Sequence, residues 1–276
     1  MAELPLAAIS WWCTATGRPW TWSWIPYPGV WLAVAVPLVA YLRATSRRPP
    51  DRRRRVAFIA GMAVFWVASD WPLGTLGAGY LASAHMTQFL LYTLGAAPLL
   101  LLGIPEDLAT RMLGRLTDGV RRLGRSPILC GVVYNLLLLV THSPPAVETL
   151  RRSQVGSFTM DLVWMAAGFV LWLPILSPLA EGRPRTVAAR MAYLFAATAV
   201  VAVIPASLLT FADTPVYEIY ELAPRVWGLS ARADQQLAGI VMKLGTIPVV
   251  WGTLGTMWFR WASRERPADR LGTPPR

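Results

Sequence analysis

Charge is scarce in this sequence. Only 15% of its 276 residues are Asp, Glu, Lys or Arg, against roughly 25% in ordinary soluble domains. With 55% hydrophobic residues and a mean hydropathy of +0.43, a soluble globule of this size could not hide its apolar surface. Disorder is excluded by the same richness in aliphatic and aromatic side chains. Cysteine is nearly absent: Cys13 and Cys130 form no C-x-x-C pair, so neither a disulfide framework nor a zinc ribbon is expected. Of the 26 basic residues all but Lys243 are arginine, and there are two histidines, His85 and His142. No G-x-x-x-x-G-K-[ST], H-E-x-x-H or G-x-S-x-G motif occurs. Residues 1–17 lack a basic stretch followed by a clean apolar run, so no cleaved leader is expected.

What is present is a series of apolar runs. A spanning helix needs about 20 mostly apolar residues. Seven runs qualify or can extend to do so, at 29–42, 56–69, 82–103, 127–140, 156–176, 187–211 and 235–261. Pro98, Pro174 and Pro205 fall inside three of them, where kinks are tolerated by neighbouring helices. The fold class is therefore all-α, a polytopic membrane bundle of about seven helices. Twenty arginines fall at positions 43–55, 111–125, 183–190 and 260–276, on one side of that arrangement, whereas Arg18, Arg151, Arg152, Arg225 and Arg232 fall on the other. The positive-inside rule then places the N-terminus outside and the C-terminus in the cytoplasm of a cell inner (plasma) membrane. Read this way, the net charge of +11 concerns membrane lipids, and no nucleic-acid partner is expected.

Three regions follow. Residues 1–26 form a Trp-rich external segment, with Trp11, Trp12, Trp20, Trp22 and Trp24 at an outer aromatic belt. Residues 27–262 are the membrane domain, and residues 263–276 are expected to be a disordered cytoplasmic tail. Within the domain, Leu108, Met112, Leu116, Val120 and Leu123 recur at helical spacing among arginines, which predicts a basic amphipathic helix over 106–125 on the cytoplasmic surface. The Gly74, Gly77, Gly79 run reads as a turn before the third span.

Polar residues at membrane depth are the functional candidates, because they are costly there. His85 and His142 both fall near the external face. Imidazole is the commonest metal ligand, and with thioethers from Met86, Met160 or Met242 it suits Cu(I). The plainer readings are a hydrogen-bonded interfacial histidine and methionines used for packing. Two histidines also permit a bis-histidine haem. Asp161 and Lys243 are charges at depth that need partners, either each other or, for Lys243, Asp70 or Asp234. Such a pair is structural, or else part of an ion or proton path in a transporter. Gln88, Asn135, Gln235 and Gln236 extend the polar set. Cys13 and Cys130 fall on opposite sides and cannot bridge each other, and Cys13 is a weak candidate for a second copper ligand.

These residues carry a resemblance. The run from Ser83 through His85, Met86 and Gln88 to Ala97-Pro98-Leu99-Leu100 resembles the H-M-x-Q-H…A-P-P-L-L signature of CtaG-like cytochrome c oxidase assembly proteins. His142-Ser143-Pro144 is similar to that family's W-H-x-P element, residues 168–176 to its G-L-L-F-W-W-P-V-L stretch, and Asp234-Gln235-Gln236-Leu237-Ala238-Gly239 to its D-Q-Q-L-A-G segment. The resemblance covers about residues 20 to 262 in order. It implies a seven-span inner-membrane factor, not an enzyme, that helps mature haem–copper oxidase by supplying copper. Oxidase subunits and an external copper donor protein are the implied partners, with a site of His85, His142, Met86 and Asp161. The chain departs from the pattern at Phe89, Ser157 and Asp161, where the family carries further histidines, and at Thr141, where it carries tryptophan.

Overall fold

In a computed structural model of the chain, residues 10–179 and 186–270 are described, and every regular element among them is helical. Helix α1 (Pro28–Ala44) opens on proline, whose fixed φ suits a first turn. Helix α2 (Arg52–Ser69) is capped by Asp51, whose carboxylate accepts from the Arg54 amide at 2.7 Å. The glycine run is not a simple turn. Leu73–Gly79 forms a short buried helix, α3, bent 47° from α2. Glycine is needed there because a Cβ at Gly77 would collide with the Gln88 side chain of the next helix.

That next run is one continuous helix of 22 residues, Ala82–Gly103. It comprises α4 (Ala82–Leu90), a π-helical stretch over Leu91–Ala96, and α5 (Ala97–Gly103). Pro98 explains the widening: it offers no amide, and its ring would press on the carbonyl one turn back. The amphipathic region folds as α6 (Glu106–Leu113) and α7 (Thr117–Gly124), not as the single helix expected. Gly114 divides them at φ +50°, a left-handed conformation that glycine adopts without strain. Helix α8 (Pro127–Thr141) then leaves this pair at 99°.

Helix α9 (Pro144–Arg151) leads to the 23-residue α10 (Gln154–Leu176), capped by Ser153 on the Gly156 amide at 3.0 Å. Helices α11 (Val187–Ala199) and α12 (Val203–Phe211) form one run of 25 residues, broken just before Pro205. A single turn, α13 (Glu218–Glu221), precedes α14 (Ala231–Leu244) and α15 (Ile247–Arg270). The backbone is thus helical as far as Arg270 in the region read as an unstructured tail, and residues 271–276 lie outside the described residues, as do Arg183 and Arg185.

Four helical runs are long and apolar enough to cross a membrane: Ala82–Gly103, Gln154–Leu176, Val187–Phe211 and Ala231–Ser263. Counting the bent pairs α2–α3 and α6–α8 as spans makes six, while α1 has 17 residues and falls short of the test. The outer surface supports the membrane assignment. On α8, Ile128, Val132, Leu136 and Val140 form one stripe and are all more than half exposed, whereas Cys130, Tyr134 and Leu138 on the other side are buried. An exposed aliphatic stripe opposite a buried face is what lipid solvation requires.

The bundle has two chemically distinct ends. At one, the Tyr41 hydroxyl donates to the Gly103 carbonyl and Arg54 to the Ile104 carbonyl, which gathers the arginine-rich connections. At the other, the segment from Ser10 to Tyr27 lies over the helix ends. It is fastened by the Ala15 amide and the Thr14 hydroxyl, both donating to the Arg151 carbonyl.

Candidate functional site

Beneath that segment, α4, α8, α9, α10 and α13 converge on the two histidines. His85 is one turn into α4, and His142 is the residue that ends α8. Their ring centroids are 5.8 Å apart, with the planes nearly perpendicular. Trp164 of α10 packs against both, at 4.7 Å from His85 and 5.6 Å from His142, where it stacks. Phe89 closes on His142 at 4.6 Å. Both histidines are buried.

The hydrogen bonds fix which nitrogen of each ring is free. The Tyr220 hydroxyl is 2.6 Å from the Gly77 carbonyl oxygen and 2.8 Å from His85 Nδ1. The tyrosine has one proton for these two neighbours, and its carbonyl neighbour can only accept. The Arg151 Nε–H donates to the same His85 nitrogen at 3.4 Å. His142 Nδ1 donates to the Leu138 carbonyl at 2.8 Å. His142 therefore carries its lone pair on Nε2, and the Nε2 atoms of both rings are buried without a hydrogen-bond partner. Burial holds the His142 imidazole neutral, its pKa lowered to about 4. Burial likewise pushes the Tyr220 phenol well up, so it stays protonated.

An ion pair lies beside the histidines. Arg151 Nη2 donates to Asp161 Oδ1 at 3.0 Å with both side chains buried. Trp12 Nε1 donates to Asp161 Oδ2 at 2.9 Å, and the Arg151 guanidinium sits 5.0 Å over the Trp164 ring. Burial opposes the charge on Arg151, but the Asp161 carboxylate more than restores it and holds its pKa above the usual value.

The expected Asp161–Lys243 pair does not form. Lys243 is exposed on α14, and Asp161 is already taken by Arg151. Asp70 and Asp234 do not meet Lys243 either. Asp70 accepts from the indoles of Trp31 and Trp66, at 3.0 and 2.6 Å. Asp234 reaches across to the start of α4, accepting from the Ala82 amide at 2.6 Å, the Ser83 amide at 3.2 Å and the Ser83 hydroxyl at 2.5 Å. Gln235 ties down the preceding loop through the Val216 amide and the Thr214 carbonyl. Cys13 and Cys130 are both buried thiols donating to carbonyls, of Ser69 and Leu123, each at 3.2 Å. Burial pushes the Cys13 thiol far up, which makes it a poor metal ligand.

Residues 8–264 match the family described as cytochrome c oxidase caa3 assembly factor (Caa3_CtaG). The chain belongs to this family. Among similar curated proteins are uncharacterized proteins of Mycobacterium leprae (strain TN), 25% identical over 229 residues, and of Mycobacterium bovis and Mycobacterium tuberculosis, each 24% identical over 230 residues. Each alignment covers 77% of this chain and 34% of the relative, so the chain spans about a third of the length of the curated relatives it matches. No solved structure matches the chain.

In this caa3 assembly-factor chain, two positions read as departures from the family resemblance, Phe89 and Asp161, adjoin the histidine pair or its arginine. Phe89 packs on His142, Asp161 holds the arginine beside His85, and Ser157, one turn before Asp161 on α10, is buried with an unpartnered hydroxyl. Among the described residues no three His, Cys, Asp or Glu side chains are grouped to hold a metal. What remains is a pair of imidazoles. Met86 follows His85 directly on α4, so its side chain leaves a different helix face. Met160 is one turn before Trp164 on the same face of α10 and is fully buried.

Proposed function

We propose that this chain is a seven-span factor of the inner membrane, with its N-terminus outside, that handles Cu(I) for a haem–copper oxidase. The observation that carries this reading is the pair of buried, unpartnered Nε2 atoms on rings 5.8 Å apart. Two neutral imidazoles in a water-poor aromatic pocket suit a soft monovalent cation, which accepts few ligands, far better than Mg or Ca, which demand many oxygens. The Nδ1 hydrogen bonds to Tyr220 and the Leu138 carbonyl orient the rings, as outer-shell partners do at metal sites.

As cargo, Cu(I) enters from an external donor protein, is held by His85 and His142, and leaves by ligand exchange to an oxidase subunit. The Arg151–Asp161 pair adds no net charge, so the ion meets no full opposing cation. Met160 is better placed than Met86 to lend a thioether. Seven spans result when α1, shorter than the others, is counted with the six. Trp164, packed against both imidazoles, favours a bare ion over a macrocycle at this site.

The test is an anaerobic Cu(I) titration of the purified chain against a chromophoric competitor. Stoichiometric binding is expected, lost in His85→Ala and in His142→Ala. Binding that survives both substitutions, or no binding at all, would overturn the two-histidine site. A Soret band in the purified protein would turn the same histidines to haem.

A further inference from the structure

Two cavities that no copper function uses reach the arginine-rich end. The first, of about 700 Å³, is lined by Arg43 in the last turn of α1, by Arg47 and Arg48 just after it, and by Asp107, Thr110 and Arg111 of α6. Arg111 is paired with Asp107 at 3.0 Å. The other three arginines are exposed, and none makes an ion pair among the described residues. The basin therefore holds three uncompensated positive charges.

The second cavity, of about 380 Å³, is a groove between α1, α2, α5 and α10. Pro37, Phe58, Phe65, Ile104, Met112 and Phe169 are among its walls. Its one carboxylate, Asp161, is already bonded to Arg151 and Trp12. Along α10 the walls run from Phe158 to Phe169, about 16 Å at 1.5 Å per residue. The groove runs from Trp12 and Phe158 beneath the external segment to Ile104 and Met112 near the arginine-rich connections. Both cavities touch α6: Thr110 and Arg111 line the basin, and the next residue, Met112, lines the groove.

We propose that this end is a binding site for one anionic phospholipid, its phosphate in the arginine basin and an acyl chain in the groove. Arginine presents paired N–H donors that fit phosphate oxygens. Basic pockets between membrane helices take such headgroups. A soluble anion would account for the basin and leave the groove unexplained. A neutral lipid would account for the groove and make no use of the three arginines beside it.

The experiment uses the full chain purified in neutral detergent, with dioleoyl phosphatidylglycerol or dioleoyl phosphatidylcholine added, and counts retained lipid by native mass spectrometry. The wild type is expected to retain phosphatidylglycerol at least about tenfold better. Arg47→Gln should lower that preference about fivefold, from the energy of one arginine near an anionic surface. The triple change of Arg43, Arg47 and Arg48 to Gln should abolish it. Leu162→Trp projects from an exposed wall of the groove and should reduce retention with the arginines intact. Equal retention of the two lipids, or an undiminished preference in the triple variant, overturns the proposal. So does displacement by soluble glycerol phosphate together with indifference to Leu162→Trp, because that combination reports a free-anion site.

Discussion

Arg151 and Asp161 are both buried and face each other at 3.0 Å. Removing one partner of such a pair strands the other charge, typically at a cost of about 3–5 kcal/mol. Arg151→Met and Asp161→Leu should therefore each lower the melting temperature in detergent strongly, and the double variant should recover most of the loss. Additive losses would mean the two residues act separately. The histidines set a pH dependence. His142 is neutral when folded, with a pKa of about 4, while in an unfolded chain it takes up a proton near 6.5. Its contribution, about 3 kcal/mol by linkage, is complete above pH about 6.5 and is lost as pH falls toward 4. Melting curves across that window should show the decline, and His142→Gln should flatten that part of the slope. At this scale the histidine pair was legible: apolar run lengths placed both residues at one depth, and the structure joins them. Arg151 was not, because it reads as one more loop charge until α9 turns it inward. Its presence on the arginine-poor side was the available signal. Lys243 misled for the opposite reason, since depth along a helix says nothing about which face a side chain takes.

At the scale of elements, the position of His85 depends on a residue some 150 positions away in sequence. Asp234 closes the N-terminus of α4 with three hydrogen bonds, which places a carboxylate where the helix dipole is positive. Asp234→Ala should cost about 1–3 kcal/mol, and it should weaken Cu(I) binding although it touches no histidine. Asp234→Asn, which can still accept, should lose less. Equal effects of the two in a melting assay would contradict the capping role. Sequence pattern places Asp234 at the start of the last helix, as observed, and Ser230 one turn before it serves that helix as its own cap. No local pattern says that Asp234 caps a different helix. The same limit applies to the glycine run: its turn-like composition hides a helix whose glycines are there for close approach to Gln88.

For the whole molecule, hydropathy placed the runs Ala82–Gly103 and Val187–Phe211 residue for residue. It fell short where spans are brief or bent, since apolar length is the quantity it reads. The arginine asymmetry makes a topological prediction. In a chain with Cys13 and Cys130 replaced by alanine, Trp22→Cys should react with an impermeant maleimide added outside intact cells, whereas Arg47→Cys should react only after permeabilisation. The reverse pattern would invert the orientation. The segment fastened over the histidines also imposes an order on synthesis. Trp12 finds Asp161 only after 149 further residues have been made, roughly 7–30 s at about 5–20 residues per second. Until then the first indoles of the chain wait undocked, and the histidine chamber stays without its roof.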